Sequence, residues 1–373
     1  MEIRKLYING QWVESAQKEW IEIENPATHE IIAKVPRGKK EDVDKAVCAA
    51  RKAFETWQYT PLKKRVELMK KVVEGLKNRR QELIETITKE LGSPYQVSAD
   101  VHTDPFLLEA EYYIRTASSF PYEERRETSV VRREPVGVIG GLTPWNFPLE
   151  QIEKKVVPAL LAGNCVVLKP SQFTPLTAYI LTEEIDKAGY PAGVFNLVTG
   201  RGGEVGNALA THEEVDMISF TGSTSAGREV ARLALGNIKK IALELGGKSA
   251  AILLKGGDWE NGIRTVLDTI VPNAGQTCNA LTRLLVPEDE LGRAEDIILE
   301  QLKSYKYGMP EDPEVTQGPL ASRKQFERVK GYIELGIQEG ARMITGKVPQ
   351  DDGNYYVEIG RASCRERVSR VVV

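Results

Sequence analysis

A thiol, a carboxylate and a side-chain amide stand in three short segments whose residue types and spacing suit chemistry. Cys278 lies in PNAGQTCNALTRLLV, flanked by Gly275, Gln276, Thr277 and Asn279. A nucleophilic cysteine needs a thiolate, an accessible sulfur and donors for the oxyanion its attack creates, and a small polar setting favours access. A free cysteine is as readily a small buried hydrophobe, and this stretch alone does not choose. Glu244 ends the apolar run of ALELGGKS, just before Gly246 and Gly247. At the carboxyl edge of a parallel sheet, where α/β ligand sites gather, partial burial would raise its pKa and fit it for general-base work. A surface carboxylate at a strand end is the competing reading. Asn146 sits in TPWNFPLE, between Pro144 and Pro148. A rigidly held amide there could donate to an oxyanion, or the segment could be a simple turn.

A fourth segment, FTGSTSAGREV, reads as strand, glycine-rich turn and helix, and its backbone N–H groups from Ser223 to Ala226 favour a phosphate. It is not a P-loop, because Arg228 and Glu229 follow Gly227 where Lys and Ser or Thr would stand. GRGGEVG, with Gly200, Gly202, Gly203 and Gly206, is a near miss to the dinucleotide fingerprint. Cys48, Cys165, Cys278 and Cys364 are unclustered and lack CxxC spacing, so neither a disulfide framework nor a metal site is expected. His29, His102 and His212 all lie outside these segments, which argues against a cysteine hydrolase built on a Cys–His pair.

The elements that must position these groups follow from pattern. A chain of 373 residues exceeds what one hydrophobic core usually serves, so two domains are expected. A net charge of -3 argues against a nucleic-acid binder, and no run is long and apolar enough for a membrane span. MEIRKLYING has no apolar signal-peptide core, so the cytoplasm is the expected location. In EDVDKAVCAARKAFETW, Val43, Ala46, Val47, Ala50, Ala53, Phe54 and Trp57 make one apolar helical stripe, with Cys48 read as structural. Thr60 and Pro61 read as N-cap and first-turn proline of the next helix, and Gly92 with Pro94 ends a third.

Beyond Glu134, short apolar runs alternate with helical segments. The runs are VGVIGGL, NCVVLKP, VFNLVTG, DMISFTG, KIALELGG and SAAILL, and this alternation predicts a parallel sheet covered by helices. Cys165, inside one run, is assigned to the core. YEERRETSVVRREP is either a hairpin arm or a solvated linker, and its composition favours the linker. After Cys278, the strand-like TRLLVPE and helices at GRAEDIILEQLKSY and RKQFERVKGYIELGIQEGA open a second α/β unit. EIGRASCRERVSRVVV turns abruptly Arg-rich and unpatterned, the texture of a non-native tail from about residue 358.

Taken together, TPWNFPL, LKPS, GYPAGVFNLVTG, FTGSTSAG, LELGGKS and GQTCNALTRLLV resemble the NAD(P)-dependent aldehyde dehydrogenase superfamily, in the family's order and with its interval from Glu244 to Cys278. The resemblance covers residues 1 to about 357. It implies an α/β fold: a Rossmann-like parallel-sheet NAD(P)-binding domain at 1–121 and 137–245, a β-hairpin oligomerisation arm at 122–136, and a catalytic domain at 246–357. It makes Cys278 the nucleophile, Glu244 the general base and Asn146 the oxyanion donor in oxidation of a small-molecule aldehyde. Lys169 would reach the adenosine ribose, with Gln172 beside it. Trp145 and Phe220 would line the cleft, Gly202 and Gly206 would admit the adenine side, Ser223 would meet the pyrophosphate, and Leu245 would contact the nicotinamide end. Around WNFPLEQIEKK, Leu149, Gln151 and Ile152 would form part of the substrate pocket.

Two departures from the pattern carry consequences. Many NAD-preferring relatives have Glu at the position of Gln172, and a neutral amide removes a like-charge penalty against the 2′-phosphate of NADP. The family's chain also continues through a Glu-Ile-Phe-Gly-Pro segment and a terminal strand that joins a partner's sheet. The resemblance therefore implies an incomplete catalytic domain, with poor solubility and little activity for this chain. Homo-oligomerisation is expected of a full-length parent rather than of this chain. An acylating semialdehyde dehydrogenase and an inactive, non-enzymatic member are the rival readings; Glu244 favours water over coenzyme A as the acceptor.

Overall fold

The computed structural model describes residues 2–357, together with the backbone at 361–364 and 370–372. The chain forms two compact units, one from Met1–Glu24, Ile31–Ile87 and Ala99–Leu245, the other from Asn25–Glu30, Thr88–Ser98 and Gly246–Val373.

The first unit is built on a seven-stranded sheet. Its order is Lys240–Leu245, Met217–Gly222, Val138–Leu142, Cys165–Lys169, Phe195–Leu197, Leu6–Ile8 and Gln11–Val13. The first five strands run parallel, and the N-terminal pair extends the sheet antiparallel. From Val138–Leu142 the chain first adds strands on one side, then returns to add strands on the other. That reversal makes a topological switch point, outside which open α/β sheets bind ligands at the strands' carboxyl ends. Helices Pro148–Ala162, Leu176–Ala188 and Thr224–Ala234 provide crossovers. Every residue of Val138–Leu142 and Cys165–Lys169 is buried, as expected for parallel strands covered on both faces, and Cys165 is in the core as assigned.

Helix Lys40–Trp57 buries Val43, Ala46, Val47, Ala50 and Trp57. Cys48 is exposed, contrary to its structural reading, because position 48 turns away from the buried stripe that runs through Val47 and Ala50. The next helix, Leu62–Asn78, has Pro61 itself at the N-cap and no side-chain cap, so Thr60 does not play that part. Glu123–Arg125 pairs antiparallel with Val130–Arg132, so the Arg- and Glu-rich segment is a hairpin rather than a linker.

In the second unit, Ala250–Ile252 pairs parallel with Arg283–Leu285 across helix Trp259–Ile270. The SAAILL run therefore belongs to this sheet and not to the seven-stranded one. Trp259, Ile263, Val266, Leu267 and Ile270 pack one helix face against Leu284, Ile297 and Ile298. Asp258 caps that helix by accepting from the Asn261 N–H. Gly92 has φ +79, and a Cβ there would stand 2.8 Å from both Pro26 and Pro319, so this turn needs glycine. The segment expected to be a non-native tail lies mostly outside the described residues. Within it, the backbones of Arg361–Cys364 and Arg370–Val372 add antiparallel strands beside Arg342–Thr345 and Arg283–Leu285.

Candidate active site

The first unit brings most of the proposed cofactor residues to the carboxyl ends of its parallel strands. Leu142 pairs with Lys169 and with Phe220, and Gly222 pairs with Leu245. Lys169 is almost wholly buried, and burial lowers its ammonium to about 8. Its Nζ donates to the Pro170 carbonyl at 2.6 Å. A Cβ on Gly206 would sit 3.9 Å from Lys169 Cδ, so that glycine and that lysine are neighbours. Gly202 opens a short π-helical turn at Gly202–Gly206, with nothing within 4 Å of where its Cβ would stand. Gln172 and Phe173 are half-buried in the loop after Lys169, where Ser171 Oγ accepts from the Phe173 N–H at 3.2 Å.

Helix Thr224–Ala234 starts directly from the end of Met217–Gly222. Ser223 is its N-cap: Oγ accepts the Ala226 N–H at 3.2 Å and lies 3.2 Å from Ser225 Oγ. Gly227, in the first turn, is confined by its neighbours. A Cβ there would approach Leu245 Cδ2 to 2.6 Å and the Phe220 ring to 3.4 Å. The helix N-terminus, the buried ammonium and the two small turns form a donor set that fits a diphosphate and sugar hydroxyls.

Trp145 and Asn146 are half-buried in the turn that enters helix Pro148–Ala162, whose Pro148 occupies the first helical turn. The turn is fixed through Thr174, whose Oγ1 donates to the Trp145 carbonyl at 2.9 Å, and the Thr143 N–H reaches the Lys169 carbonyl at 3.2 Å. Glu244 lies on the edge strand Lys240–Leu245, beside Thr221. It is exposed, which corrects the expectation of partial burial: an edge strand has a neighbour on one side alone. The signal that the motifs did not give is Lys155. Its Nζ donates to Thr221 Oγ1 at 2.7 Å from a buried position; burial lowers its pKa to about 8, and the charge of Glu244 opposes that fall.

In the second unit, Cys278 is exposed. The loop before it turns through Ala274 and Gly275, with φ of +50 and +75. Asn273 and Gln276 lock it reciprocally, each side-chain amide donating to the other's carbonyl at 3.2 Å. Gln276 Oε1 also accepts the Ala321 N–H at 3.0 Å. The Gly247 N–H donates to the Cys278 carbonyl at 3.2 Å. The sulfur is therefore presented at the surface of a hydrogen-bonded loop and is not packed as core filler.

Sequence inspection missed Glu153. It stands on the apolar face of helix Pro148–Ala162, four residues from Leu149 and from Val157, a placement that the helical period would have exposed. It is 2% exposed, its carboxyl oxygens have no hydrogen-bond partner among the described residues, and burial with the charge of Glu109 pushes it up to about 9. Among the described residues no group of His, Cys, Asp and Glu is arranged to hold a metal ion, and no helix is long and apolar enough to cross a membrane.

Residues 12–359 match the model of the aldehyde dehydrogenase family. A Staphylococcus haemolyticus protein named "Putative aldehyde dehydrogenase" is 44% identical over 347 residues, which cover 93% of this chain and 73% of that one. Aldehyde dehydrogenase C of Pseudomonas syringae, solved as a cysteine-to-alanine mutant with NAD+ and octanal, is 37% identical with a TM-score of 0.91. That match covers 95% of this chain and 74% of the other. A Bacillus cereus aldehyde dehydrogenase in complex with NAD+ is 35% identical, with a TM-score of 0.92 over 96% of this chain and 74% of its own.

Proposed function

The chain belongs to the aldehyde dehydrogenase family, and from that premise we propose that it oxidises a small aldehyde to the carboxylic acid with NAD or NADP, using Cys278 as the nucleophile. The observation that carries this reading is an exposed thiol on a loop pinned by Asn273 and Gln276, within the chain's match to the family.

In this reading the Cys278 thiolate adds to the aldehyde carbon. The Asn146 amide donates to the oxygen as it becomes an alkoxide, which stabilises the tetrahedral thiohemiacetal. A nicotinamide held against Phe220 and Leu245 would supply the hydride acceptor that lets the adduct pass to a thioester. Glu244 then takes a proton from water as the water attacks the thioester carbonyl, and the acid leaves with Cys278 regenerated. Lys169, Gln172, Gly202, Gly206, Ser223 and Trp145 would hold the dinucleotide: the ammonium and amide at the adenosine ribose, the helix N-terminus at the diphosphate. Lys155 donates to Thr221, the strand neighbour of Glu244, and so holds its ammonium close to that carboxylate.

The hairpin Glu123–Arg125 with Val130–Arg132 carries a half-exposed Val130, which supports a self-assembly role for it in a full-length parent. Reduction of NAD+ and NADP+ across a panel of aliphatic and aromatic aldehydes tests the activity. Aldehyde-dependent reduction that disappears in Cys278→Ser supports it; reduction that survives the substitution rejects it.

A further inference from the structure

Helices Asp104–Ser119 and Pro148–Ala162 pack together in the first unit and collect carboxyl groups along their seam. Glu109 comes from the first helix; Glu150 and Glu153, one turn apart, come from the second. Tyr113 donates to Glu109 Oε1 at 3.3 Å. Lys154 is ion-paired within this group, bonded to Glu150 and 3.7 Å from Glu109 Oε2, with its Nζ 5.8 Å from the centre of the Phe106 ring. The seam thus already seats an alkylammonium among two carboxylates and an aromatic face.

Lys154 does not satisfy the third carboxyl. Glu153 is 2% exposed, and both of its oxygens lack a hydrogen-bond partner among the described residues. It stands one turn from Glu150 on the same helix, and the charges of Glu109, Lys154 and Glu150 act on it. Lys155 points instead to Thr221 on the sheet side of the helix. A buried carboxyl without a donor is costly, and a cation with N–H groups would answer it.

The helix that carries Glu150 and Glu153 begins two residues after Asn146. At about 1.5 Å per residue, Glu153 stands only about 8 Å along the axis from the helix start. A group held at the amide by its carbonyl end would reach the seam with a short tail. We infer that Glu109, Glu150 and Glu153 form a subsite for an ammonium group, so that the preferred substrate is a short aldehyde carrying a protonated amine at its far end. The substrate class rests on the aldehyde dehydrogenase reading, whereas ammonium binding does not.

Binding an ammonium beside Glu153 favours its ionised form, and the proton it loses goes to solvent. Calorimetric titration of the full chain with butylamine hydrochloride, in buffers of different ionisation enthalpy, reads both binding and proton release; butanol and butyrate are the controls. Butylammonium should bind with proton release while the controls do not, and Glu153→Gln or Glu150→Gln should weaken it at least about tenfold. Equal affinity for butanol, or affinity unchanged in both variants, overturns the subsite. In parallel, kcat/KM for 4-aminobutanal should exceed that for pentanal, with the ratio falling about tenfold or more in Glu153→Gln. Turnover of pentanal at an equal or higher rate overturns the substrate class. No turnover of any aldehyde rejects the oxidation reading instead, and the butylammonium titration still decides the subsite.

Discussion

Glu153→Gln should raise stability, and by an amount that grows with pH. The carboxyl moves from 4.5 to about 9 on folding, because burial disfavours its charge and Glu109 repels it. Between those values the folded protein holds a proton that the unfolded chain gives up. Its contribution is therefore fully present below about 4.5 and is lost as pH rises toward about 9. At about 1.4 kcal/mol per decade of proton affinity, the shift bounds the linked free energy at about 6 kcal/mol. Relaxation and water penetration around a buried charge cut the penalty to several kcal/mol or less, and about 3 kcal/mol is taken as the expected effect. Glutamine keeps the shape and does not ionise. Urea unfolding of the parent and the variant, measured across about pH 5 to 9, should give curves that nearly coincide at the acid end. They should separate by about 3 kcal/mol at the alkaline end, the parent being the weaker. Parallel pH profiles for the two proteins would refute the reasoning.

Three other substitutions test the proposed roles. Gly227→Ala places a methyl carbon 2.6 Å from Leu245 Cδ2, so it should cost about 1–3 kcal/mol of stability and shift Leu245, with weaker dinucleotide binding by fluorescence titration. Gln172→Glu should turn cofactor preference toward NAD by about tenfold, read as the ratio of kcat/KM with NAD and NADP, since a carboxylate there repels a 2′-phosphate. Cys278→Ser should abolish aldehyde oxidation while leaving the unfolding midpoint nearly unchanged, because an exposed side chain away from the core contributes within about 0.5 kcal/mol.

What the sequence disclosed depended on whether a local pattern carried the information. The stripe from Val43 to Trp57 reads directly as a helix face because its period is set within the helix itself. The runs at Val138–Leu142 and Cys165–Lys169 read as buried parallel strands for the same reason. SAAILL has the same apolar texture, yet it pairs with Arg283–Leu285, a choice made by tertiary contacts that no local run encodes. The exposure of Glu244 depends on its strand having an edge position, which is a property of sheet order rather than of the segment. Cys278 and Asn146 were legible as candidates from their unusual surroundings. Lys155 and Glu153 were hidden inside an ordinary amphipathic pattern, where the difference between a surface charge and a buried one is a matter of helical phase.

Peptide-level mass spectrometry reads the covalent role of Cys278. The chain bearing Glu244→Gln is mixed with aldehyde and NAD+ and quenched in acid, so that thioester hydrolysis is slowed while acylation still proceeds. An acyl group is expected on Cys278, formed only when NAD+ is present. Cys48, the other exposed thiol among the described residues, stays unmodified. Acylation of Cys48 in place of Cys278, or no acyl group on Cys278 while NAD+ is being reduced, would contradict that role.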